Sequence, residues 1–278
     1  MNVKSLITVS IFSLISVSGT QAADIIMSHP TSEIAPSVVV APSFSWTGFY
    51  LGGQIGSFSS KSGINILHNG IDKQLNKDAL PKLSGFVGGV YAGSNIDLGN
   101  NFVLGIDTDI VWSNQKDTKI SQKFDVTKDN KEHFQKIFQN ANIKIADNAV
   151  EEGDLVILDT KLKEKWSGAT RVRLGFAADR IMPYVVGGVA YAQLQDVVPV
   201  TLRDKNKANV IISGQLSDET KTMVGYTLGA GVDFAMTNNV LLRAEYRYSD
   251  FGKKKFAKDM RDIEYKTNNF RFGVAYKF

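Results

Sequence analysis

The last nine residues, Phe270 to Phe278, constrain this 278-residue chain more than any other stretch. Phe270, Phe272, Val274, Tyr276 and Phe278 alternate with Arg271, Gly273, Ala275 and Lys277. Successive side chains of a strand point to opposite faces, so one face here is aromatic and apolar while the other is basic and small.

The same period recurs along the chain in eight runs. They are Trp46 to Phe58, Gly85 to Ser94, Asn101 to Trp112, Trp166 to Ala177, Met182 to Leu194, Thr222 to Phe234, Asn239 to Tyr248 and the terminal run. Short connections hold Asn95, Gly99 and Asn100, then Asp179-Arg180, then Thr237-Asn238. Long polar stretches fill the remaining gaps, the longest from Ser113 to about Lys165. Eight strands, with three tight turns at one end and four long loops at the other, follow the plan of an antiparallel transmembrane barrel. Soluble eight-stranded barrels exist too, so loop length alone does not decide.

The amino terminus bears on the choice. Lys4, the apolar run from Leu6 to Val17 and the small residues of Thr20-Gln21-Ala22 read as a secretory signal cleaved after Ala22. Residues 1–22 are then a signal peptide, 23–45 an extended periplasmic leader and 46–278 the barrel. The apolar run is too short for a comfortable membrane helix, and no later stretch reaches about 18 uninterrupted apolar residues. There is no cysteine, which removes disulfides and thiolate chemistry. A net charge of +4 is too small to argue for a nucleic-acid partner.

An exported barrel with these alternating faces turns its aromatic rows to lipid. Its lumen is then expected to hold Asp107, Asp109, Arg171, Arg173, Asp233, Arg243, Glu245, Arg247, Arg271 and Lys277, ions of both signs able to pair. Trp112 and Trp166 are expected near the loop-side rim and Trp46 near the opposite rim, as an aromatic girdle. Orientation stays open in the first, second and fifth runs, where Gly is frequent and both faces are apolar. The expected fold is all-β: an eight-stranded antiparallel transmembrane β-barrel with long extracellular loops. Side chains fill a lumen of that size, so variable chemistry falls to the loops.

The terminal aromatic strand resembles the assembly signal of bacterial outer-membrane barrels. Together with Gln21-Ala22-Ala23-Asp24, the WTGFYLGGQIG segment from Trp46 and the GFVGGVYAG segment from Gly85, it makes the whole framework similar to one family. That family is the hemin-binding outer-membrane proteins of Bartonella, related to the small major outer-membrane proteins of Brucella. The resemblance implies a bacterial outer-membrane location with surface-exposed loops, hemin capture, and in some members adhesion to host matrix or cells. It supplies no ligand motif to carry over.

Candidate hemin ligands therefore come from residue chemistry. His29, His68 and His133 are the three imidazoles. His29 lies in the leader, His68 in the first long loop, and His133 in the second. A helix over 129–148 would set Phe134, Ile137 and Phe138 in an apolar stripe beside His133, to pack on a porphyrin or merely to anchor the loop. Lys253, Lys254 and Lys255, with Phe256, Lys258 and Arg261, make the fourth loop the most basic, suited to hemin propionates or to anionic lipopolysaccharide. Tyr246 and Tyr248 read as girdle residues. No HExxH, GxSxG or phosphate-loop motif is present, so no enzymatic role is expected. The expected partners are outer-membrane lipid and lipopolysaccharide, hemin, and in the rival adhesin reading host extracellular matrix. A structural envelope barrel without ligand is the other rival.

Overall fold

A computed structural model describes residues 44–68, 71–74, 80–113, 115–146, 149–206, 209–257 and 261–278. The expected signal peptide, nearly all of the expected leader, His29 and Lys258 lie outside them. Ten strands and one helix follow in chain order. They are β1 (Gly48–His68), β2 (Ile71–Gln74), β3 (Ser84–Gly99), β4 (Phe102–Trp112), β5 (Lys116–Asp125), α1 (Lys131–Asn140), β6 (Leu155–Phe176), β7 (Ile181–Arg203), β8 (Val210–Ala235), β9 (Val240–Phe256) and β10 (Arg261–Lys277).

Eight of these strands close a ring in the order β1, β3, β4, β6, β7, β8, β9, β10, with β10 returning to β1; β2 pairs with β1 and β5 with β6. All eight neighbouring pairs in the ring run antiparallel, and closure removes the sheet edge within the ring. The closing seam is long, running from Tyr50 opposite Lys277 to Ile66 opposite Arg261. Terminal Phe278 finishes it. Its amide donates to the Phe49 carbonyl at 2.9 Å, and its ring packs 5.8 Å from that of Phe49.

Three tight turns join strands at one end. Asn100 and Asn101 both take positive φ (51° and 68°), the left-handed geometry that short hairpins demand and that Asn tolerates. At the β8–β9 turn the Thr237 hydroxyl accepts from the amides of Asn239 and Val240.

The alternating faces emerge as expected. Phe102, Leu104 and Ile106, Val172, Leu174 and Phe176, Val224, Tyr226 and Leu228, and Phe270, Phe272, Val274 and Tyr276 are all exposed on the outer wall. Nine to eleven residues of a tilted strand suffice to cross a bilayer, and the outward rows reach that length from Phe102 to Trp112, Val224 to Phe234 and Phe270 to Phe278. The runs left open by the sequence now resolve. Phe49, Leu51 and Ile55 of β1, Phe86 and Val90 of β3, and Val185 and Val189 of β7 face out, while Tyr50, Tyr91 and Tyr184 face in. Each of these three tyrosine rings lies where a methyl group on a facing glycine would collide, at Gly93, Gly273 and Gly231 respectively. Part of the chain's glycine is thus room for inward aromatic rings.

Two expectations fail. Trp46 is not a girdle residue: it is 2% exposed, its indole donates to the Asp179 carbonyl at 3.0 Å, and Phe44 meets it edge-on at 4.8 Å. It precedes β1 and turns into the barrel mouth, where its N–H finds a carbonyl that lipid would not offer. The long polar stretches are also not mainly irregular. β7 has 23 residues and β8 has 26, more than twice what a membrane needs, so the ring's strands continue beyond the outer apolar wall. The stretch from Ser113 to Lys165 holds β5, α1 and the first half of β6, and Ser249 to Lys266 is mostly the β9–β10 hairpin. These extensions form an extracellular head.

Candidate functional site

Two regions could carry function: the lumen and the head. From the turn end upward, the lumen is filled in layers. Trp46, Tyr50, Tyr91, Val103, Met182, Leu241 and Ala275 form an apolar floor. Above it, arginines from β6, β9 and β10 meet carboxylates from β4, β8 and β9. Arg171 reaches Asp107 at 2.7 Å and Glu245 at 2.6 Å. Arg173 reaches Asp107 and Asp233, both at 2.6 Å. Arg243 holds Asp233 at 2.9 Å, Arg247 holds Asp109 at 2.9 Å and Glu245 at 2.8 Å, and Arg271 holds Asp109 at 2.6 Å. Tyr184 adds a hydroxyl bond to Glu245 at 2.9 Å, and the Arg173 guanidinium stacks 4.0 Å from the Tyr184 ring centroid. All nine ions are nearly inaccessible. Lys277, the tenth expected lumen charge, is also buried and donates to the Thr47 carbonyl at 3.2 Å.

Above the ions lies a second apolar layer. Phe58, Ile64, Leu83, Val111, Leu162, Leu194, Met223, Phe251, Phe256, Ile263 and Tyr265 pack across the lumen. Among the described residues, these two packed apolar layers fill the lumen on either side of the ions. The lumen charges are therefore paired ions, as the mixture of signs suggested.

One more ion pair is buried above that layer. The Arg261 guanidinium on β10 donates to both carboxylate oxygens of Asp196 on β7, at 3.0 and 3.2 Å, and to the Thr160 hydroxyl on β6 at 2.9 Å. This strut ties three strands across the head. Burial is the largest influence on its carboxylate and pushes Asp196 up to about 6; Arg261 opposes the shift, and Glu219 and Asp218 reinforce it. Burial likewise lowers Arg261 below its ordinary value. Both partners lean toward neutrality, so desolvation outweighs their attraction.

The head also carries the candidate ligand residues. α1 starts two residues later than expected and stops at Asn140, followed by Asn142 at φ 54°. Phe134 and Phe138 are buried, in a cluster with Val126, Val150, Val156, Val200 and Leu202. The stripe thus anchors the helix to the extended sheet. His133 stays exposed, its ring 5.9 Å from that of Phe134. His68 closes β1, opposite Ile71 of β2. Lys253, Lys254 and Lys255 are exposed but lie in strand β9, not in a loop. Lys253 stands opposite Glu264 and Lys255 opposite Asp262, while the Lys254 ammonium donates to the Thr222 carbonyl at 2.6 Å. The five candidates therefore sit on three separate hairpins. His68 and the lysines belong to neighbouring ones, and His133 rises from the β5–β6 connection, three ring strands from β1. Among the described residues no cluster of three or more metal-ligating side chains occurs.

Sequence reasoning passed over one feature of the head. Lys161, Lys163 and Lys165 alternate with buried Thr160, Leu162 and Glu164 on β6, directly above Trp166. The K-x-K-x-K spacing was the available signal, hidden by the expectation of an irregular loop.

Known proteins place the chain. A family model described as "Outer membrane protein beta-barrel domain" matches residues 34–278. The chain is 33% identical to the "31 kDa outer-membrane immunogenic protein" of Brucella melitensis, covering 99% of this chain and all of that one. It is 28% identical to the "22 kDa outer membrane protein" of Rhizobium leguminosarum, over 88% of this chain and 83% of that one. Among solved structures it is similar to Neisserial surface protein A, at 18% identity and a TM-score of 0.42 over 84% of this chain and 98% of that one. The closed eight-stranded ring, its apolar outer wall, the family model and the Brucella relative make the chain a member of the outer-membrane β-barrel domain family, seated in the bacterial outer membrane.

Proposed function

We propose that this barrel works as a surface display module whose head takes up hemin, for capture or storage outside the cell. The observation that carries the surface part is the layered filling of the lumen, which leaves the head as the region open to ligands. His133 supports the hemin part: an exposed imidazole beside an aromatic ring, with Lys136 one turn further along the helix and Lys131 at its start. An axial imidazole and two cations for the propionates form a minimal hemin-binding set. Lys253 to Lys255, half-countered by Glu264 and Asp262, are the weaker candidates.

The test is a hemin absorbance titration of the detergent-folded protein, comparing wild type with His133→Ala, His68→Ala and the double variant. A saturable Soret shift lost with His133→Ala fits the reading. A shift that never saturates, or that both single variants and the double variant leave unchanged, contradicts imidazole ligation.

An adhesin is the second reading, favoured by one feature. β8 pairs with β9 from Tyr226 to Ala235, while its upper part from Val210 to Gly225 pairs with β7 alone. Unpaired strand edges accept a strand from another protein. Lysine side chains cross the seam there, Lys221 to the Lys255 carbonyl and Lys254 to that of Thr222. Attachment to host matrix that persists in hemin-binding-deficient variants would favour this reading. The Brucella relatives' description as immunogenic accords with exposure in either case.

A further inference from the structure

Where the apolar outer wall ends on β4 and β6, Trp112 and Trp166 stand directly opposite one another, Trp112 half-exposed. An aromatic pair at the top of a lipid-facing wall marks the membrane interface. Immediately above it the outward row of β6 carries Lys165, Lys163 and Lys161, since Glu164 and Leu162 between them and Thr160 beyond are buried inward. β5 adds Lys116, exposed and in register with Lys163. Four cations thus rise from the interface in a comb about 13 Å tall along the strand.

Cross-strand neighbours on one face stand about 5 Å apart, and like charges directly opposite are destabilising. Lys116 and Lys163 are such a pair. The head offers them little relief. Among the described residues none of the four lysines is in an ion pair, and Lys165 donates only to the Thr220 hydroxyl at 3.2 Å. In the register of the sheet, carboxylates flank the comb at one end: Asp159, two residues beyond Lys161 on β6, and Asp218, which accepts from Gln195 at 2.7 Å. Lys266, another outward lysine near the rim, differs: Asp250 and Glu264 hold it at 3.1 and 2.8 Å. The comb's four lysines are thus left without an ion-pair partner among the described residues, and they begin at the aromatic pair that marks the membrane interface.

We propose that Lys116, Lys161, Lys163 and Lys165 form a docking surface for the phosphate groups of the outer-leaflet glycolipid. The partner's acyl chains lie along the apolar wall below Trp112 and Trp166, and its phosphates meet the comb. Continuity with the lipid-facing wall commits the surface to a lipid. A soluble polyanion would match the charge and leave the tryptophan pair unused. An ammonium near an anionic bilayer gains roughly 1 kcal/mol, so several acting together make a specific site. The proposal is independent of hemin binding.

The test uses the full barrel refolded into phosphatidylcholine nanodiscs containing diphosphoryl lipid A or its dephosphorylated form. Lipid A retained on the detergent-extracted protein is then counted by native mass spectrometry. The quadruple Lys→Gln variant at 116, 161, 163 and 165 is expected to retain diphosphoryl lipid A at least about tenfold more weakly than wild type. A control replacing Lys123, Lys128, Lys144 and Lys205 with Gln, and a quadruple Lys→Arg variant of the comb, are expected to match wild type. Dephosphorylated lipid A is expected to bind all forms equally and weakly. Should the quadruple variant fail to fold, Lys116→Gln/Lys163→Gln alone gives the same comparison. Unchanged retention in the comb variants, equal loss in the control, wild-type retention of the dephosphorylated lipid, or displacement by soluble heparin at equal charge would each overturn the proposal.

Discussion

The membrane-embedded lumen and the extracellular head treat charge in opposite ways. Within the bilayer, five arginines and four carboxylates are withdrawn from solvent and cross-linked, each touching at least one ion of opposite sign. In the head, one ion pair is buried across the ring, and lysines stand outside on neighbouring strands. The difference follows from the surroundings. A charge between two apolar layers has no water to fall back on, so it must be paired. A charge on the head's outer wall keeps its hydration and is free for external anions. The lumen holds the ring together; the head meets the outside.

Breaking the ionic layer should produce the largest effect. Arg171→Leu removes the cation that touches both Asp107 and Glu245, and should cost about 3–5 kcal/mol because two buried carboxylates lose a partner. Urea unfolding in detergent, followed by heat-modifiable gel mobility, measures it. A loss under about 1 kcal/mol would mean the layer does not hold the ring. Trp46→Ala comes next, at about 3 kcal/mol, because it empties part of the floor and frees the Asp179 carbonyl. Trp112→Ala, on the lipid wall, should cost less in the same assay, and a reversal of that order would return Trp46 to the girdle.

The head's strut sharpens the contrast. Arg261→Met should loosen the head while leaving the ring folded: trypsin should cut the head hairpins faster, with mobility unchanged. Loss of both together would make head and ring one cooperative unit. The smallest effect is a pH dependence. Asp196 binds its proton more readily in the folded head, near 6, than an unfolded carboxyl does near 4. Its contribution is therefore fully present below about pH 4 and lost as pH rises through 6. Protease resistance of the head should increase between pH 7 and 5 in wild type and stay flat in Asp196→Asn. The opposite slope would mean that Arg261 stabilises the carboxylate more than burial opposes it.

These regions also differ in how far the sequence revealed them. Lumen ions such as Arg171, Arg173, Asp107 and Asp109 could be read because charged and aromatic residues alternate strictly where one face meets lipid. β1 was ambiguous because Gly52, Gly53 and Gly56 leave little contrast between faces, and Trp46, outside the strand, had no phase to follow. Head strands escaped notice because both faces are polar along much of β5, upper β8 and the β9–β10 hairpin, as water permits. Register shifts between Glu164 and Trp166 and between Val198 and Pro199 further break the count. His133 was legible as a candidate; that its helix stripe is consumed in anchoring, with Phe138 fully buried, depended on long-range packing no local pattern encodes.

The central claim is that the lumen is closed and the head alone meets ligands. Planar-bilayer conductance of the folded protein tests it most directly, with the Arg171→Leu variant alongside. The account predicts no steady ion conductance for wild type over long recordings at moderate voltage. Stable, long-lived open steps in wild type would contradict it and return function to the lumen.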